Sequence, residues 1–288
     1  DEVYLDITHS FRSLSLMSFV MSEFYANTRD YNLNIKGVYY GMFEASKKED
    51  DGTRTPAPIV DLKMFFELLE WSKAIKNLKF YGNGYELMAL VDRSNQPTNI
   101  KNSYKNFSYA LSMSDIGAIQ KSVKSLKKEI FDFNDQKAHI LEIISKDLKE
   151  FIDIFRINKI SDLQLELASW YAENKNFAMA YMTLAEVLPS LICEQNGKDP
   201  ADRDAREDAK YTLSQYGGSK NYNSEHKKVA EVYFKINNIR INIAHKLADG
   251  DRRSNSDPKN SVDNIQGYIE KVKMMRKIHF VLQRKSKQ

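Results

Sequence analysis

The chain has 288 residues, of which 42% are hydrophobic and 28% charged, a mix typical of globular proteins that excludes a disordered or fibrous chain. Its 43 Lys and Arg residues against 39 Asp and Glu residues give a net charge of +4, which excludes a protein that coats nucleic acid through bulk electrostatics. At roughly 150 residues per domain, the length predicts about two domains.

The single cysteine, Cys193, excludes a disulfide framework and a thiolate metal cluster, and it favours a reducing cytoplasm. Cys193 has no activating neighbour in the sequence, so we predict a buried structural thiol. No apolar run approaches the roughly 18 residues that a membrane span needs, and the acidic start does not resemble a signal peptide. We therefore expect a soluble, cytoplasmic protein without a membrane segment.

The first 95 residues or so predict an α/β arrangement. Residues 3–7 and 35–40 are β-rich, and the segment between them has helical spacing, with Leu14, Met17, Met21 and Phe24 on one stripe. Strand, helix and strand in this order predict two parallel strands joined by a right-handed crossover. Because open sheets usually hold about 4–6 strands, we expect this part either to lack N-terminal strands or to need strands from a partner. Asp61 is the predicted N-cap of the next helix.

The rest of the chain predicts helices, since apolar residues recur there with a period of 3.6 residues. Ser161-Asp-Leu-Gln164 is typical of a capping box that opens one of these helices. Trp170 and Tyr171 have the spacing of core residues, so packing is favoured over base stacking. The last helix ends in a basic tail, for which a solvated face is favoured over a role in guiding RNA.

A first candidate site is Asp6-Ile-Thr-His-Ser-Phe-Arg12, at the point where a strand ends and a helix begins. That edge of a parallel sheet is where ligands bind, and the helix start offers free N–H groups suited to phosphate. An equally supported reading is that Thr8 or Ser10 only caps the helix while Arg12 faces water. Gly82-Asn-Gly84 lacks the third glycine of a dinucleotide fingerprint, so such a cofactor is not expected.

A second candidate is Arg240-Ile-Asn-Ile-Ala-His245, near the end of an amphipathic helix. Five residues turn the helix by roughly 140°, too far for Arg240 and His245 to pair well with each other. Two copies in a symmetric dimer would gather two Arg and two His in one cleft, a phosphate clamp beside a proton carrier. On spacing alone, a surface Arg and a His at a helix C-terminus are favoured. The remaining histidines have no metal-ligand spacing, so no metal site is predicted.

Taken together, the two motifs resemble a known family. Asp6-Ile-Thr-His-Ser10 resembles the Asp-x-Thr-His-Gly motif of CRISPR-associated Rossmann-fold (CARF) proteins, with Ser10 in the place of Gly. Arg240 to His245 resembles the Arg-x(4–6)-His motif of HEPN ribonucleases. Their order is similar to that of the CARF–HEPN effectors of type III CRISPR systems, and the resemblance extends through segments 58–62, 70–71, 164–171 and 180–186.

The resemblance implies a fold and a set of domains. It implies a Rossmann-like CARF domain over residues 1–95, here without its N-terminal strands, a helical connector over residues 96–160 and a helical HEPN domain over residues 161–288. The CARF domain would bind a cyclic oligoadenylate, the tetra- or hexa-adenylate, as an allosteric activator. The ligand contacts would come from Thr8, His9, Ser10, Phe11 and Arg12, and from Tyr40 and Gly41 by the rule for strand edges.

The resemblance also implies an activity, that of a homodimeric endoribonuclease that cuts single-stranded RNA in antiviral defence without a metal or other cofactor. In such sites the 2′-hydroxyl of the RNA attacks the adjacent phosphate and leaves a 2′,3′-cyclic phosphate. Arg240 would stabilise the developing charge, His245 would transfer the proton, and Asn242 would support them. No membrane and no DNA partner is expected. Two alternatives stay open, a ligand sensor without nuclease activity and an enzyme that also degrades its own activator.

Overall fold

The structure is a computed structural model that describes residues 2–8, 12–28, 34–93, 98–126, 138–218, 222–245 and 258–285. It is mostly helical, with one small mixed sheet, so an α/β part followed by a helical part is the observed fold class. The chain divides into two compact units, Asp1–Ala74 and Ile75–Gln288. The functional division predicted at residues 95 and 160 stays a prediction.

The first unit contains a three-stranded sheet in the order β1-β2-β3. Its elements are β1 (Glu2–Asp6), α1 (Arg12–Asn27), β2 (Asn34–Gly41) and β3 (Ile59–Asp61), and the helix α2 (Lys63–Tyr81) follows. β1 runs parallel to β2, with Leu5 opposite Val38, which confirms the predicted strand–helix–strand unit. β3 pairs antiparallel with β2 through Tyr40 and Val60, and this strand was not predicted.

Asp61 was predicted as the N-cap of α2; α2 begins at Lys63, so Asp61 lies one position before the N-cap and still binds the first turn. Its Oδ1 atom accepts hydrogen bonds from the backbone N–H of Lys63, at 2.9 Å, and of Val38, at 3.2 Å. The first bond satisfies a free donor of the first helical turn. The second bond links the same carboxylate to β2, so one side chain fixes the position of α2 on the sheet.

The apolar stripe predicted on α1 does not face the core of the first unit. Leu14, Met17, Met21 and Phe24 are between 43% and 59% exposed. The face of α1 that packs inward carries Phe19, whose ring centroid lies 4.6 Å from that of Phe66, and the buried Ser22. The predicted helix is confirmed, and its apolar stripe is the exposed side of the helix.

The second unit is a set of packed helices in which α7 and α8 make the most extensive contact. After the C-terminal part of α2, the elements are α3 (Tyr85–Arg93), α4 (Thr98–Ser112), α5 (Ile116–Leu126), α6 (Ala138–Ile154), α7 (Ile160–Glu173), α8 (Phe177–Gln195), α9 (Arg203–Gly218), α10 (Ser224–His245) and α11 (Pro258–Met275). Phe151, Phe155 and Trp170 form an aromatic cluster in the core, with ring centroids 5.3–5.8 Å apart. Trp170 and Tyr171 are buried, which confirms their predicted packing role.

The capping box predicted at Ser161 is wrong. α7 begins at Ile160, and its N-cap residue, Lys159, makes no side-chain capping bond. The backbone N–H of Ser161 donates to Glu194 Oε1 at 3.0 Å, and its hydroxyl donates to Glu194 Oε2 at 2.5 Å. A carboxylate from α8 therefore satisfies the start of α7, and Gln164 is buried.

α8 has the length and composition of a membrane-spanning helix, with a mean hydropathy of 1.3 over an 18-residue window. The expectation that no apolar run approaches this length was therefore wrong. Of that window, 67% is buried inside the unit. Burial against α7, α9 and α10 accounts for the apolar composition of this helix.

The segment after α11 is anchored through its backbone. The N–H of Phe280 donates to Gln195 Oε1 at 2.9 Å, and the N–H of Leu282 donates to Asn196 Oδ1 at 3.1 Å. Gln283 and Lys285 donate in the same way to Thr212 and Asp208 on α9. The basic side chains Arg284 and Lys285 are exposed, as expected for a solvated face, whereas their backbone is not free.

Cys193 is fully buried, and burial, reinforced by nearby carboxylates, raises the pKa of its thiol to about 11. We expect a thiol reagent such as DTNB at pH 8 to label the folded protein on the order of 100-fold more slowly than the protein unfolded in guanidinium. A Cys193→Ala variant is the control, because it removes the single thiol. Rapid labelling of the folded chain would contradict this burial.

Candidate functional site

The carboxyl ends of β1 and β2 bring two of the predicted ligand residues together. Thr8 follows β1, and its Oγ1 atom accepts a hydrogen bond from the backbone N–H of Gly41, at 2.8 Å. Asp6 holds the turn after β1, because its Oδ1 accepts from the backbone N–H of Thr8 at 2.9 Å. Thr8 and Gly41 therefore lie side by side at the sheet edge where ligands bind in parallel sheets.

Gly41 is required by this close approach. A Cβ atom at position 41 would lie 2.8 Å from Thr8 Cγ2, closer than real Cβ contacts allow. The absence of a side chain keeps the hydrogen bond to Thr8 short and the backbone of β2 open at the edge.

The other predicted ligand residues have different placements. The Tyr40 hydroxyl donates to the carboxylate of Glu44, with both oxygens 3.0 Å away. Arg12 is the first residue of α1. His9, Ser10 and Phe11 lie outside the described residues.

The helical unit places Arg240 in a cluster built from three helices. Glu186 on α8 forms ion pairs with Arg206 on α9 and with Arg240 on α10. Arg240 Nη2 lies 3.8 Å from Glu186 Oε1, and the side chains of Glu186 and Arg240 are 22% and 36% exposed. We call Glu186, Arg206 and Arg240 the arginine cluster.

One nitrogen of Arg240 is left without a partner. Its Nε atom is buried, and in the described part of the chain it makes no hydrogen bond. A buried donor that lacks a partner costs stability, on the order of 1–3 kcal/mol. Arg240 thus meets its carboxylate at a long distance and keeps donor capacity that an incoming anion could use.

Burial is the largest cause of the pKa shifts in and beside the arginine cluster. Burial lowers the pKa of the Arg206 guanidinium, and the charge of Arg240 lowers it further. Burial also raises the pKa of the nearby Tyr233 hydroxyl, while Arg240 opposes that shift. Two guanidinium groups share the Glu186 carboxylate, so the arginine cluster has the sign that a phosphate group requires.

The remaining residues of the second motif lie on the same helix. Asn242 is half-buried, and His245 is the last residue of α10, its side chain outside the described residues. Five residues along α10 separate Arg240 from His245 by roughly 7.5 Å of helix axis. Among the described residues, no group of three His, Cys, Asp or Glu side chains is placed to hold a metal ion.

Sequence reasoning missed Glu186 and Arg206 as members of this cluster. Glu186 carries a signal, because it is the one acidic residue within the apolar run 177–193 of a buried helix. A carboxylate in such a setting requires a charged partner. Arg206 carries no such signal, since it stands in a polar stretch and its partner lies on another helix.

The comparisons with known proteins bear on the whole chain. Residues 67–162 match the model of a family described as CRISPR-associated protein MJ1674, second domain. Over 277 residues the chain is 28% identical to the CRISPR-associated protein MJ1674 of Methanocaldococcus jannaschii. The chain is related to a CRISPR-associated protein. The match covers 95% of this chain and 42% of that relative, so the chain spans less than half of the relative's length.

We expect Gly41→Ala to destabilise the first unit by about 1–3 kcal/mol, because the new methyl group would displace Thr8 and lengthen its bond to the Gly41 N–H. Thermal or urea unfolding measures this loss. In the double variant Gly41→Ala/Thr8→Ser, the clashing Cγ2 is absent and the hydroxyl acceptor remains, so most of the stability should return. Equal stability of Gly41→Ala and the parent would contradict the close approach.

We expect Glu186→Gln to lower the free energy of unfolding by about 1–2 kcal/mol, because two partly buried guanidinium groups lose their shared charge partner. Urea unfolding measures the change. Glu173→Gln, at the exposed end of α7, is the matched control and should change stability by less than about 0.5 kcal/mol. An unchanged midpoint for Glu186→Gln would show that the carboxylate does not balance the two arginines.

Proposed function

We propose that this chain is a cytoplasmic, cyclic-oligoadenylate-activated endoribonuclease that cleaves single-stranded RNA in CRISPR defence, acting as a homodimer without a metal. The α/β unit would be a CARF-type ligand sensor, and the helical unit would contain a HEPN-type nuclease site. Similarity to a CRISPR-associated protein and the order of the two motifs along the chain support this proposal.

The observation that carries the proposal is the position of Arg240 in the arginine cluster. Its guanidinium is half-buried, retains an unpartnered Nε donor and shares one carboxylate with Arg206. A group in this state is suited to a phosphate that gains negative charge during reaction, because the low dielectric of a partly buried site strengthens the interaction.

The proposed reaction is an internal transfer at phosphorus. The 2′-oxygen of the RNA bonds to the adjacent phosphorus, and the bond from phosphorus to the 5′-oxygen of the next nucleotide breaks. One imidazole removes the 2′-hydroxyl proton, and the other donates a proton to the leaving 5′-oxygen. The products are a 2′,3′-cyclic phosphate and a 5′-hydroxyl, so atoms and charge balance without a metal. Arg240 stabilises the phosphorane, and Asn242 would support its orientation.

A symmetric dimer would supply both imidazoles. His245 of each subunit would enter one cleft, which explains why one copy needs only a single His beside its Arg. The C-terminal part of α10 carries two exposed apolar side chains, Ile241 and Ile243, at 38% and 39%. Their exposure in the segment that carries Arg240 and His245 supports a partner surface here.

The activator would bind at the edge formed by Thr8 and Gly41. A phosphate there would meet the N-terminal end of α1, the positive end of the helix dipole, with Arg12 as its first residue. Tyr40 and Glu44 would flank the ligand on the side of β2.

One observation favours the second candidate function, a ligand sensor without nuclease activity. Arg240 and Arg206 both pair with Glu186, and an ion-pair network of this kind can hold α8, α9 and α10 together without any part in catalysis. The Arg would then be structural, and the protein would relay activator binding to a partner.

We expect labelled single-stranded RNA to be cleaved by the full chain when cyclic tetra- or hexa-adenylate is added, with EDTA present throughout. Arg240→Ala and His245→Ala should each lower the rate by roughly 100-fold or more, because each removes a group that acts in the transition state. Arg203→Ala and His279→Ala, both exposed, are matched controls and should cleave at the parent rate.

Two outcomes would contradict the nuclease. The assignment fails if the activator adds no cleavage, or if both variants cleave as fast as the parent. Activator binding measured by calorimetry without any cleavage would support the sensor instead. Incubation of the activator alone, followed by detection of linear products, tests whether the chain also degrades its ligand.

A further inference from the structure

A second cationic feature of the helical unit lies away from the arginine cluster. A cavity of about 420 Å³ opens where the start of α7, the end of α8 and the end of α11 meet. We call it the basic groove. Its lining includes four cations, Lys159, Lys273, Arg276 and Lys277, and two carboxylates, Asp162 and Glu194.

Both carboxylates of the basic groove are already engaged. Asp162 Oδ1 lies 2.5 Å from Arg276 Nη2, in an ion pair between α7 and the end of α11. Glu194 accepts two hydrogen bonds from Ser161 at the start of α7. Both carboxylates line the groove, and each already has a partner within the protein.

Two of the cations have no such engagement. Lys159 and Lys277 are exposed, and in the described part of the chain their ammonium groups form no ion pair. Lys273 pairs with Glu270 at 2.8 Å, within its own helix. Lys159 and Lys277 thus face the groove with charge that the protein itself does not neutralise.

The walls of the basic groove are held in place. Gln195 Nε2 donates to the carbonyl of Ile278 at 2.9 Å, and its Oε1 accepts from the N–H of Phe280 at 2.9 Å. These two bonds fix the turn that carries Lys277 against the end of α8. The lysines are therefore presented by a preformed surface, which lowers the entropic cost of binding.

We propose that the basic groove binds the phosphodiester backbone of single-stranded RNA and positions the substrate of the nuclease site. Among the described residues that line the groove none is aromatic, so it offers no platform for stacking a base. Point-like ammonium charges contact phosphate without reading sequence. The inference rests on the proposed function, because RNA is the polyanion which that function supplies.

The basic groove and the arginine cluster are both built partly on α8. Glu194 and Gln195 follow Glu186 on this helix, and eight residues correspond to roughly 12 Å along its axis. The side chains of the intervening residues 187–193 are buried, so RNA would reach the groove over the neighbouring surface and not along α8 itself. The groove would increase affinity for RNA without taking part in the chemical step.

Binding is tested with a fluorescent 2′-O-methyl single-stranded RNA, which lacks the attacking hydroxyl and cannot be cleaved. Anisotropy is measured with the full chain over a series of salt concentrations. We expect Lys159→Ala/Lys277→Ala to weaken binding by roughly tenfold at low salt and to reduce the salt slope by about 1.4, since each phosphate contact on a single strand contributes about 0.7. Lys121→Ala/Lys149→Ala removes two exposed lysines outside the groove and should leave affinity and slope unchanged.

The outcomes separate the groove from the nuclease. Loss of affinity and slope in the groove variant alone supports the groove, whether or not the parent cleaves RNA. Equal binding by the groove variant and the parent overturns it, as does a parent that binds no RNA. Full competition by an acidic peptide or by inorganic phosphate at the same charge concentration overturns it as well, because the site would then recognise negative charge rather than a nucleic-acid backbone. Absence of activator-dependent cleavage overturns only the proposed function.

Discussion

The charge balance of the candidate site in the helical unit depends on one carboxylate shared by two guanidinium groups. Glu186 extends from an otherwise apolar stretch of α8 and meets Arg206 of α9 and Arg240 of α10. A carboxylate in such a helix requires a cation, and one Arg would neutralise it. With the second Arg, the three side chains of the arginine cluster carry a net positive charge. That surplus is the property on which the proposed phosphate chemistry depends.

The same contact sets how readily a phosphate can compete for Arg240. The Arg240–Glu186 ion pair is long, at 3.8 Å, and the Nε donor of Arg240 is unused, whereas Arg206 lies much closer to the carboxylate. Arg206 therefore supplies the larger part of the charge balance of Glu186. Arg240 can turn toward a ligand without leaving a buried carboxylate alone, which would cost several kcal/mol. A structural role for Arg206 and a functional role for Arg240 are compatible for this reason.

Local patterns predicted the elements better than the contacts between them. The strand–helix–strand unit and the contact of Asp61 with the start of α2 were predictable because each depends on residues close together in the chain. The capping box at Ser161 failed because Glu194, distant in the sequence, is the better partner for the start of α7. β3 was not predicted because its three residues are too few to show the alternation of apolar and polar side chains that marks a strand. Thr8 and Gly41 were chosen by the strand-edge rule, but the missing Cβ that lets them touch appears only when the strands are paired. The ion pair of Arg206 with Glu186 could not be predicted, because it forms only when α9 packs against α8.

α8 contributes to both cationic features. Its apolar residues pack in the core, and its polar residues bind the surrounding helices. Its buried apolar side chains place it among α7, α9 and α10, and that burial is the main source of free energy at this position. Its polar side chains contact neighbouring segments at two positions along the helix. Glu186 organises the arginine cluster, and Glu194 and Gln195 hold the start of α7 and the segment after α11, which form the basic groove. Because these groups share one helix, a shift of α8 would move both cationic features together. A substrate that contacts the arginine cluster and the basic groove would therefore encounter a fixed spacing, set by the hydrophobic core and not by the charged residues themselves.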